Sequence, residues 1–360
     1  MIIAGDIACP NEKCSLDLKK IIADNATVFA GKSLVCNFEG LINDDINPRA
    51  NTPVLYNHSS VVNVLERANT KAVALANNHI LDLPFCFDET LKKLSEKNIV
   101  FAGAGKSAAE AATPVSFFDG VHQVILFNEC WDFLLYHQKN PTEGIHIATI
   151  QFQDLAQRVK ECKSKNPLSC ILVYLHWSLD FETLPYPMYR TFANALIDAG
   201  ATIVAGCHSH CVQGGEQYKD GYIVYGLGNF FLPNHIFANG KLSFPSFAAV
   251  QLLFEFDIET REAFCHWFKY ENQEGRHTLT HLETSPFSTS ELMKKYAPYQ
   301  GMAHLEYIQY FKKHRRKKTL IPLFKEYQNK QQLAMHTSLL KARARFARML
   351  AKLNLIKWGS

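Results

Sequence analysis

The feature that most constrains this chain is a series of short apolar runs, several of which stop on residues of the kinds that bind cations. Runs over residues 2–5, 33–37, 72–76, 99–102, 123–127, 170–175, 202–205, 223–225 and 248–256 have the length and composition of buried strands. Helix-like stretches at 59–68, 88–97, 149–163 and 187–199 fall between them. This alternation predicts an α/β fold, a layered β-sandwich flanked by helices. At 360 residues and 47% hydrophobic, the chain has ample material for the core of such a domain.

The polar residues that close the runs carry the functional argument. Asp6 follows the first, Glu39 the second, Asn77, Asn78 and His79 the third, His176 a later one, and His208 and His210 another. Ligands of an open α/β sheet gather beyond the carboxyl ends of its strands, so five strands can aim these groups into one crevice. Carboxylate, amide oxygen and imidazole form the mixed nitrogen and oxygen set that suits Mn, Fe or Zn. One or two such divalent ions would lower the pKa of a bound water and clamp a phosphoryl or similar group. Asn78 could ligate without adding charge, while His79 could protonate a leaving group with Asp82 orienting its ring. Each residue also has an ordinary reading. A lone Asp after a strand is commonly a cap, and His176, inside Val-Tyr-Leu-His-Trp, could be a hydrogen-bonded core histidine. Their joint placement is what argues for a site.

In this order and at these spacings, the fragments GDIA, NFEG, ANNHILD, LHWS, GCHSHCVQG and YGLGNF resemble the signature blocks of the CapA (PGA_cap) family. These are bacterial capsule and poly-gamma-glutamate synthesis proteins within the calcineurin-like metallophosphoesterase superfamily. The likeness covers roughly residues 1 to 250. It implies Asp6, Glu39, Asn78, His176, His208 and His210 as metal ligands, His79 with Asp82 as the catalytic pair, and Asn37, Asn77, Gly228 and Asn229 as substrate contacts. Two departures stand out. The superfamily's Asp-x-His opening has Ala8 at its third position, and the usual His-His-Pro-His run reads Cys207-His208-Ser209-His210.

The resemblance implies a metal-dependent hydrolase acting on a phosphate ester, or on an amide or ester bond in a surface polymer such as poly-gamma-glutamate or capsular polysaccharide, with an anionic polymer or a phosphate-containing small molecule as its partner. A non-catalytic accessory protein of a capsule-assembly complex is the rival. His79 favours the enzyme and Ala8 the accessory. Arg190 is expected on a solvated helix face, with an anionic substrate group as its alternative partner.

Charge is unevenly spread. Residues 311–360 hold 14 Lys and Arg against Glu326 alone, whereas the first 310 hold 24 against 33 acids. The expected division is therefore a domain over 1–285 and a basic helical extension over 286–360. Leu339, Ala342, Phe346, Met349, Leu353 and Ile356 form one apolar stripe there, amid Lys341, Arg343, Arg345, Arg348 and Lys352. That helix would pack its stripe on the core or lie on an anionic membrane. Nucleic acid is disfavoured because aromatic platforms are not interleaved with the basic residues. The ten cysteines form no paired CxxC framework, no secretory leader pattern is evident, and no apolar run approaches the ~18 residues of a membrane span. The expected setting is cytoplasmic, soluble or peripheral at the inner face of the membrane.

Overall fold

The computed structural model describes residues 1–45, 54–135, 144–273 and 275–316, with scattered positions between 335 and 353. Two sheets face one another. The first is built on β1 (Ile2–Ile7), β2 (Leu34–Phe38), β3 (Thr70–Ala74) and β4 (Val100–Ala102), all parallel. The second contains β5 (Val115–Asp119), β6 (His122–Cys130), β7 (Cys170–His176), β8 (Ile203–Cys207), β9 (Val212–Tyr218) and β10 (Gly221–Leu227), in the order β9-β10-β8-β7-β6-β5. The chain then returns to the first sheet with β11 (Asn229–Phe231), β12 (Val250–Phe256), β13 (Ala263–Gln273) and β14 (Arg276–Pro286). Both β11 and β12 border β1: β12 runs antiparallel to its start, pairing Ile2 with Glu255, and β11 parallel to its end, pairing Asp6 with Asn229.

Apolar contact holds the sandwich together. Ile3, Val35, Ala72 and Ala74 of the first sheet and Leu126, Leu172 and Val173 of the second belong to one buried cluster. Across the two sheets the Tyr174 hydroxyl donates to the Ala4 carbonyl at 2.5 Å. The other face of the first sheet is covered by α1 (Glu12–Asp24), α2 (Ser60–Arg67) and α3 (Phe87–Ser95), whose Leu18, Val61, Leu65 and Leu94 join a second cluster with Ile2 and Cys36. Over the second sheet lie α4 (Phe152–Lys165) and α5 (Pro187–Asp198), contributing Leu155, Val159, Phe192 and Leu196. The result is the layered α/β sandwich that the run pattern implies.

Two features were not legible as such. The long antiparallel hairpin β13–β14 at the sheet edge lies beyond the last of the apolar runs. Helix α1 begins where the Asn11 side chain accepts from the Cys14 amide and buries Cys14, Leu18 and Ile21.

Beyond the hairpin, α6 (Glu291–Tyr296) and α7 (His304–His314) place Met293, Tyr299, Tyr307 and Phe311 in the same core as the second sheet. Of the basic residues after 310, Lys317, Lys318, Arg348 and Lys352 lie outside the described residues, as does Ile356 of the stripe. The described stripe residues Leu339, Phe346, Met349 and Leu353 are exposed rather than packed on the core. Among the described residues no helix is long and apolar enough to cross a membrane.

Candidate metal centre

The carboxyl ends of β1, β2, β3, β7 and β8 meet at one crevice. Asp6 sits in β1 with Asn37 as its partner on β2 and Asn229 as its partner on β11, so an amide side chain flanks the carboxylate on each side. Asn37 Nδ2 donates to Asp6 Oδ1 at 2.8 Å. Close approach of the backbone makes this register possible: a Cβ on Gly5 would lie 1.8 Å from the Gly228 carbonyl oxygen, and Gly228 itself has φ +74°. The Asp6 amide donates to that same carbonyl at 3.3 Å.

Glu39, just past β2, is fully buried, and neither carboxylate oxygen has a hydrogen-bond partner. The imidazoles of His79 and His176 each stand 3.9 Å from its Oε1. Burial first, and then the charge of Asp6, push the Glu39 carboxyl up to about 8.

The loop after β3 is held from both sheets. Asn77 Nδ2 donates to the Phe38 carbonyl at 2.9 Å while its oxygen accepts from the His79 amide at 3.1 Å. From the second sheet Asn128 Oδ1 accepts from the Ala76 amide at 2.7 Å, and its Nδ2 donates to the Tyr174 carbonyl at 2.9 Å. Asn128 is a positioning residue that the sequence reading did not single out. Asn78 Oδ1 accepts from His176 Nε2 at 2.7 Å. His79 Nδ1 donates to Asp82 Oδ2 at 2.6 Å, which leaves Nε2 turned toward Glu39. Burial lowers the His79 value, but the charge of Asp82 and its hydrogen bond outweigh that and hold it above the usual range.

After β8 the chain carries His208 at φ +87° and His210 at φ +54°, left-handed conformations that cost roughly 1–3 kcal/mol each in non-glycine residues. The kinked backbone lets the His208 amide donate to Asp6 Oδ2 at 3.3 Å. It also sets His210 Nδ1 2.9 Å from Asn229 Oδ1 and 3.4 Å from Asp6 Oδ2. Burial pulls His210 down, yet its bond to Asp6 and the charges of Glu39 and Asp6 prevail and raise it to about 10. Burial lowers His208 to about 4 and takes His176 well below its ordinary value.

Three sets of donor atoms lie within 4.8 Å of one another: Asp6, Glu39 and His210; Asp180, His208 and His210; and Asp6, His176 and Cys207. The expected ligands therefore do converge, Asn78 joining through its bond to His176. Asp180 was missed because it is an exposed loop residue, not a strand end. Its one sequence signal is that it lies four positions after His176. Burial drives the Cys207 thiol well above its normal value; because His176 gives its Nε2 proton to Asn78, its Nδ1 accepts from the Cys207 thiol at 3.1 Å. Position 8 offers no donor, since Ala8 packs with Leu55, Tyr56, Leu232 and Phe237.

The arrangement fits a divalent cation. A buried carboxylate with both oxygens unpartnered is costly unless a positive group meets it. Asp6 and Glu39 lie together with His210 in this crevice, a set whose charge a divalent cation would balance. Nitrogen and oxygen donors of this kind suit Mn, Fe or Zn.

Arg190 departs from both readings of the sequence. It is buried, with Nε 2.6 Å and Nη2 2.8 Å from the two oxygens of Glu216 on β9, and it faces neither solvent nor the crevice.

Comparison with known proteins adds the following. The family model described as "Bacterial capsule synthesis protein PGA_cap" matches residues 2–234. The capsule biosynthesis protein CapA of Bacillus anthracis is 26% identical over 194 residues, 47% of this chain and 42% of that protein. The PGA biosynthesis protein CapA of Bacillus subtilis (strain 168) is 26% identical over 197 residues, 49% of this chain and 46% of that protein. The matched region thus spans under half the length of these relatives. Among solved structures, a phosphatase from Mycoplasma pneumoniae superposes with a TM-score of 0.43 at 13% identity, covering 79% of this chain and 91% of that one. The 5'-nucleotidase of Candida albicans gives 0.42 at 8% identity, covering 74% and 51%.

Proposed function

Because this chain belongs to the bacterial capsule synthesis protein family PGA_cap, we propose that its strand-end cluster is the centre of a metal-dependent hydrolase that works on a capsule or other surface polymer. The relatives named for capsule and PGA biosynthesis support the polymer setting. The observation that carries the catalytic reading is Glu39, fully buried with both carboxylate oxygens free of hydrogen bonds and facing imidazoles.

In this reading Asp6, Glu39, Asn78, His176, His208 and His210 hold one or two divalent ions, and Asp180 closes the open side. A bound ion supplies an acidified water and polarises the scissile phosphate ester, ester or amide. Asn37 and Asn77, buried with their amides engaged around Asp6 and the His79 loop, keep the ligands in place. His79 carries its Nδ1 proton toward Asp82 and offers Nε2–H to the leaving group. Asn229, tied to His210, lines the approach, while the Gly228 carbonyl holds the Asp6 amide.

The apolar packing of Ala8 favours a second reading, an accessory protein that uses the pocket to bind polymer, since it leaves one side of the centre short of a donor. One experiment separates the two. Protein supplied with Mn is assayed on a generic phosphodiester and on a gamma-glutamyl oligomer, alongside His79→Ala. The hydrolase reading expects turnover that drops by roughly 10²–10⁴ in the variant while its metal content stays constant. No turnover on either substrate with metal bound supports the accessory.

A further inference from the structure

A cavity of about 450 Å³ opens beside the centre, a volume within the usual range of small-molecule sites. Two of its wall residues also touch the metal cluster. Asn229 holds His210 through its side chain, and the Phe244 ring lies 5.1 Å from the His210 ring. A substrate whose reacting bond sits at the centre would therefore run its next unit into this space.

The chemistry of the wall is unusual for a protein whose relatives are named for an anionic polymer. Its polar groups are the amides of Asn229, Asn234, Gln251 and Asn272, with His235, Ser246 and Tyr270, and no Lys, Arg, Asp or Glu is among the described lining residues. Arg316, whose guanidinium stacks 3.8 Å from the centroid of the Phe247 ring, does not line the cavity. Gln251 supplies the decisive detail. It is 3% exposed, and its Oε1 is buried without a hydrogen-bond partner. An acceptor left in that state is unfavourable, and a ligand donor would satisfy it. A hydroxyl supplies such a donor. A gamma-linked glutamate unit brings a carboxylate as well, and no Lys or Arg among the described lining residues would meet that charge.

We propose that this cavity is a subsite for an uncharged sugar unit, and hence that the polymer met by the centre is a neutral or sparsely charged glycan at that position. The proposal rests on the reading of the neighbouring cluster as the reaction centre. Gln251 takes a sugar hydroxyl, Asn229 and Asn272 offer amide groups to others, and Phe244 gives the ring face an apolar wall.

The test is calorimetry on the full chain loaded with Mn, using chitotriose, maltotriose and a gamma-glutamyl trimer as probes, with Gln251→Met as the variant of matched size. Saccharide binding that weakens about five- to tenfold in the variant, the loss expected for one hydrogen bond, supports the subsite, provided the gamma-glutamyl trimer binds less well. The proposal is overturned if neither saccharide binds, if the trimer binds more tightly than both, or if Gln251→Met binds saccharide as the wild type does. Thermal unfolding of the variant checks that it folds. Metal content and phosphodiester turnover on the same preparation keep the two readings apart. Saccharide binding without metal or turnover leaves the subsite standing and removes the hydrolase.

Discussion

Replacing Arg190 by Met tests how the last described helices are tied to the sandwich. The guanidinium makes two hydrogen bonds to Glu216 and a third, 2.7 Å long, to the Met302 carbonyl, and it lies 4.9 Å from the centre of the Tyr307 ring. Removing it leaves the Glu216 carboxylate buried with the Tyr225 hydroxyl, 2.6 Å away, as a remaining donor. Breaking a buried pair from one side costs about 3–5 kcal/mol, because the stranded charge keeps its desolvation penalty. For 360 residues at ~2.1 cal/mol/K each, 4 kcal/mol corresponds to a fall in Tm of ~5 °C. The double variant Arg190→Met with Glu216→Gln removes the stranded charge and should recover about half of the loss. Urea unfolding of wild type, both single variants and the double closes the cycle. A cost below about 1 kcal/mol for Arg190→Met, or a double variant no better than the single, would refute the buried-pair argument.

Gly5→Ala forces a methyl group against the Gly228 carbonyl, so it should destabilise the protein by about 3 kcal/mol or more and lower its metal content, because β1 must move away from β11. Calorimetry and elemental analysis check both, and an unchanged Tm would contradict the close approach. The pH profile should change in Asp82→Asn. In the proposed mechanism His79 is the acid, so activity holds while the ring is protonated and fails as pH climbs through its raised value. Without the Asp82 charge, burial dominates, the value falls, and the alkaline limb of the profile moves to lower pH. A limb that stays in place would remove His79 from the acid role.

The sequence carried the fold well where structure is local. Buried parallel strands such as β1, β2 and β7 are short and apolar throughout, and their ends name themselves by a change of residue type, which is why Asp6, Glu39 and His176 could be placed together. The hairpin β13–β14 escaped because an edge hairpin needs no continuous apolar run: Glu271, Lys269 and Thr280 face water and bond to one another. Arg190 was misread because its helix positions do not reveal Glu216, which lies 26 residues on in a different strand. Asp180 offered only its nearness to His176 in sequence, and Asn128 offered no signal at all. One acts from a loop and the other across the sandwich, and no local period marks either.

Divalent metal content measured in wild type and in Glu39→Gln tests the central claim most directly. Gln keeps the shape but removes the charge from a carboxyl whose two oxygens have no hydrogen-bond partner, so the wild type should carry close to stoichiometric Mn, Fe or Zn after desalting and the variant should lose most of it while remaining folded. Wild type that holds no ion under saturating supply, or a variant that retains as much as wild type, would contradict the account.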